Sequence, residues 1–175
     1  MVFVADDLAA WLIGLLANVG RRRLAELVLG SELERAVRQA ATAAVQATAA
    51  ELSPSDAEHA GQIAMVISEI FREPMRDAPL ADSETVLEGL QTGIARQLAV
   101  HDDADRTDSG RPAADELGVP GTVLAERLTG HLVSEIMFRG SRGGPLMPLA
   151  DQLNHDLTHL QGQRVEGILA RASQD

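Results

Sequence analysis

From Leu33 to Leu52 the chain repeats small and apolar residues at Leu33, Val37, Ala40, Ala41, Ala44, Val45, Thr48 and Leu52. Intervals of three and four gather all eight on one side of an α-helix and would scatter them over both faces of a strand. Because three of them are alanine, a neighbouring helix can approach that side closely. Such a face has to be covered, and the remaining sequence offers helices to cover it. Ala and Leu, 27 and 23 in number, make up 50 of the 175 residues, and β-branched and aromatic residues are too few to build a sheet. No internal repeat is present, and no run alternates with period two for more than about four residues. The expected fold is a single-domain, all-α helical bundle of about seven helices, with a core well within reach of a chain this long.

The other helices announce themselves in the same way. Leu8 to Val19 is almost wholly apolar and is expected to end at Gly20, followed by a short helix from about Arg21 to Leu29. Gly30 closes that helix, and Ser31-x-x-Glu34 reads as a capping box that opens the long one. Ser53-Pro54-Ser55-Asp56 marks the next boundary. Ile63, Val66, Ile67, Ile70 and Phe71 then form a stripe that Pro74 and Pro79 stop. Ser83 caps a segment to about Val100 with Val86, Leu87, Leu90, Ile94 and Leu98 on one side. Gly89 and Gly93 either weaken that helix or mark a close crossing. Val123, Leu124, Leu128, Leu132, Ile136 and Met137 make a further stripe that breaks at the loop from Gly140 to Pro145. The last helix starts near Pro148 and runs through Leu149, Leu153, Leu157 and Leu160. After Gly162 it shifts phase to Val165, Ile168, Leu169 and Ala172. The shift either curves the helix or ends its buried seam, leaving the last turns to meet something else.

Residues 1–175 therefore read as one helical domain, with a first helical subregion at 1–100, an acidic connector at 101–120 and C-terminal helices at 121–175. The connector holds six acids and two arginines, too little apolar surface to order itself alone, although one turn from Pro112 to Gly118 fits within it. An acidic, partner-binding loop is the other reading of this stretch.

Composition removes whole classes of chemistry. All 15 cations are arginine, and lysine, cysteine and tyrosine are absent. That excludes a P-loop lysine, a Schiff base, a thiol nucleophile, a thiolate metal ligand, a disulfide and a tyrosine acid. A net charge of -11 with only Phe3, Trp11, Phe71 and Phe138 as aromatics argues against nucleic acid, which needs positive charge and stacking surfaces. No cofactor is implied, and the lack of cysteine fits a reducing cytoplasm.

The apolar first helix raises the question of a membrane. Its run is about 12 residues where a span needs about 20, and acids rather than arginines precede it, at Asp6 and Asp7. A core helix is the plain reading. The alternative inserts it into a membrane or a partner, with Trp11, Leu12 and Leu15 as the contact and Arg21, Arg22 and Arg23 meeting acidic groups. Pairing of those arginines with acids of the same chain competes with that.

His155-Asp156-Leu157-Thr158-His159 is the most enzyme-like string. It sets two imidazoles one turn apart, with Asp151 extending the row, and resembles a zincin motif with Asp156 where zincins carry Glu. At about 100° per residue, Asp151, His155 and His159 fall at about 200° to 280° from Leu149, away from the leucine seam. A solvated face accounts for the row economically, and a metal-dependent hydrolase is the alternative reading. Arg139 and Arg142 in the glycine-rich loop suggest a phosphate cradle, but the loop follows a helix rather than a strand, and a helix stop with a turn explains it. Serines and histidines assemble into no triad, and His59 and His131 are expected on helix flanks.

Leu149 to Ala172 (LADQLNHDLTHLQGQRVEGILARA) and Leu27 to Leu52 (LVLGSELERAVRQAATAAVQATAAEL) resemble the N-terminal helical region of actinobacterial NACHT-type (STAND) signalling NTPases. The resemblance runs from about Leu8 to Arg171 apart from the connector. It implies a non-enzymatic adaptor or effector module of a bacterial signalling or defence system, acting by protein contact, and carries over no catalytic residue. In that family a P-loop NTPase follows the module. None follows residue 175, so the NTPase is expected as a partner in cis, from which this domain is excised, or in trans. Self-association is a further option. Surface residues of the last helix, Val165, Ile168 and Leu169, and the first helix are the expected contacts.

Overall fold

The computed structural model describes residues 6–23, 30–72, 85–108 and 118–172. These residues form six helices and no strand: α1 Asp6–Arg23, α2 Ser31–Leu52, α3 Ala57–Arg72, α4 Val86–Asp108, α5 Gly121–Gly140 and α6 Met147–Ala172. The all-α expectation holds, but the described helices number six rather than seven. Gly20 does not end α1, which continues through Arg21, Arg22 and Arg23. A glycine inside an established helix costs only about 1 kcal/mol, less than stopping and nucleating again. The rest of the short helix expected to Leu29 falls outside the described residues, as do Ser83, Pro74 and Pro79. The connector is corrected in the same sense, because α4 runs on to Asp108 and takes its first eight residues into the helix. Extending a helix is far easier than starting one, so an acidic sequence that would not fold alone is carried along.

α2 matches its stripe closely. Leu33, Val37, Ala40, Ala41, Ala44, Val45 and Thr48 are buried, and Leu52 packs half-buried against them. Its start differs: Gly30 is the N-cap, in extended backbone, and no side chain caps the helix, so the capping box does not form. Ser31 is already helical, and the Glu34 N–H donates instead to the Gly30 carbonyl at 3.0 Å. α3 has a side-chain cap, with Asp56 Oδ1 accepting the N–H groups of Glu58 and His59, each at 3.0 Å.

α1 lies inside the body. Leu8, Trp11, Leu12, Leu15 and Leu16 are buried, and Trp11 meets Phe71 of α3 edge-on at 5.1 Å between ring centroids. Gly93 of α4 marks the close crossing: a Cβ there would stand 3.0 Å from Trp11 Cη2. Side chains from α1, α2, α4, α5 and α6 converge around Leu12, Val37, Leu90, Leu132 and Leu149. Gln97 of α4 ties down the end of α3 by donating to the Ile70 carbonyl at 3.0 Å. α5 and α6 form a hairpin whose turn is tight because Gly140 faces Ala150. Among the described residues no helix is long and apolar enough to cross a membrane.

Candidate functional site

α6 decides which of the expected site residues face outward. Its first half packs on α5 and α4 through Leu149, Ala150, Leu153 and Asp156, with Leu157 half-buried. From Thr158 to Arg164 every residue is exposed. Leu160, expected in the seam, is 45% exposed, so the buried seam ends at Leu157 rather than after Gly162. Val165, Ile168 and Leu169 continue the helix, but their side chains lie outside the described residues, as do those of Arg21, Arg22 and Arg23.

Asp151, His155 and His159 are exposed on the outer side of α6, as their spacing implied. Among the described residues no group of three or more His, Asp or Glu side chains is gathered to hold a metal. Asp156, at the zincin base position, faces the other way. It is 2% exposed, accepts the Leu87 N–H at 3.1 Å and accepts from Gln152 Nε2 at 2.8 Å. It is the second residue to serve the start of α4, alongside Thr85, whose hydroxyl accepts the Glu88 N–H at 3.1 Å. The carboxylate is thus a cap supplied from another helix, well placed against the positive end of α4. It faces inward, while the imidazoles on either side of it face solvent.

The glycine-rich loop is a turn. Gly143 and Gly144 take φ of +86° and +89°, and the Gly143 N–H closes onto the Gly140 carbonyl at 3.0 Å. Both nearby guanidinium groups are engaged: Arg139 with Glu135 at 3.1 Å and Gln39 at 3.3 Å, and Arg142 stacked 4.2 Å above the Phe138 ring. Trp11, Leu12 and Leu15 are corrected as contact residues of this folded form, since at 5%, 1% and 1% exposure they belong to the core.

An open groove of about 870 Å³ lies over the seam of α4 and α5. Ala95, Ala125 and Gly130 line it together with the larger apolar side chains of Leu87, Met137 and Leu157. At its rim Glu51 of α2 accepts from Arg127 Nη1 at 2.9 Å and pairs with His131. The sequence offers one faint signal of this groove: Thr122, Glu126, Gly130 and Ser134 recur every four residues on the side of α5 opposite its leucines. None of the four carries distinctive chemistry, so the pattern passes unnoticed.

No protein-family model, curated protein or solved structure matches this chain.

Proposed function

We propose that this chain is a non-catalytic protein-interaction module, an adaptor or effector of a bacterial NACHT-type signalling system, whose contact surface is the second half of α6. The observation that carries this reading is the uncovered helix: seven consecutive residues, Thr158 to Arg164, stand clear of the body, with Leu160 apolar and 45% exposed. An isolated helical segment gains little from propensity alone, and a helix with no core behind it gains stability when a partner covers it. The partner class comes from the resemblance to NACHT-associated helical regions. The lack of lysine, cysteine and tyrosine favours contact over catalysis.

Binding of a purified NACHT-type NTPase from the same genome to the immobilised chain, read by interferometry, tests the proposal. Leu160→Asp is expected to weaken binding about tenfold or more. Met65→Asp, at a residue 60% exposed on α3, should leave it unchanged. No binding at tens of micromolar, or equal losses at the two positions, overturns the reading.

A further inference from the structure

We draw no further inference here: the strongest candidate, the open groove over the seam of α4 and α5 with the Glu51, Arg127 and His131 cluster at its rim, carries none, because nothing in the structure shows what covers it.

Discussion

The carboxylate of Asp156, on α6, accepts the backbone N–H of Leu87, the second residue of α4, at 3.1 Å. A bond across 69 residues of sequence therefore ties the helix that leaves the body to the start of the helix that borders the groove. Both ends are buried, so removing the acceptor strands a donor out of reach of water. Asp156→Ala is expected to cost about 1 to 3 kcal/mol, and Asp156→Asn, which keeps one oxygen acceptor, clearly less. Urea unfolding of both variants checks the order. If Asp156 instead served as a catalytic base, the Asn variant would lose activity at wild-type stability, the reverse of the loss expected here.

Two glycines on neighbouring helices should respond to substitution with opposite signs. At Gly93 an added Cβ meets Trp11 Cη2 at 3.0 Å and Cζ2 at 3.2 Å, inside the core. Gly93→Val would need the indole to move and is expected to destabilise by about 1 to 3 kcal/mol. At Gly130 nothing lies within 4 Å, and the backbone is an exposed helix interior. Gly130→Ala should therefore stabilise by up to about 1 kcal/mol through helix propensity. Thermal melts of the two variants side by side make the comparison independent of the absolute scale.

The stripe of α2 was legible because its burial depends on period alone, and the core positions of α3, α4 and α5 follow for the same reason. Helix ends were less legible. Gly20 and the acids after His101 look like stops, but an elongating helix passes through both. Asp156 was misread by motif although periodicity places it correctly: about 100° per residue sets it about 20° from Leu149, within the seam and away from His155 and His159. The groove leaves only the faint four-residue recurrence on α5. Its lining residues come from α2, α4, α5 and α6, and local spacing does not encode how those helices sit together.

His155 and His159 are exposed, and Asp151 beside them is exposed too. Among the described residues they join no group of three His, Asp or Glu side chains that could hold a metal ion, and two imidazoles on one helix face hold zinc weakly. Excess zinc is expected to leave Tm within about a degree, since a ligand stabilises only when its concentration exceeds its Kd. His159→Ala should change stability by no more than about 0.5 kcal/mol, as for other surface positions. A rise of several degrees with zinc that His159→Ala abolishes would restore the metal-dependent hydrolase as a serious reading.

The α5–α6 hairpin depends on one missing methyl group. A Cβ at Gly140 would stand 2.3 Å from Ala150 Cβ and 2.8 Å from the Leu146 carbonyl oxygen. Neither neighbour is the end of a flexible side chain, so no rotamer change relieves the contact. The Ala150 N–H is also committed, donating to that same Leu146 carbonyl at 2.9 Å, which holds the first turn of α6 in place. Gly140→Ala must therefore push the start of α6 away from α5, at about 1 to 3 kcal/mol. Pairing it with Ala150→Gly removes the closest contact, and the double variant should recover part of the loss even though Ala150→Gly alone weakens the helix by about 1 kcal/mol. Denaturant midpoints for the two single variants and the double variant form a closed cycle. A coupling of zero between these touching positions would show that the hairpin is not held by this contact.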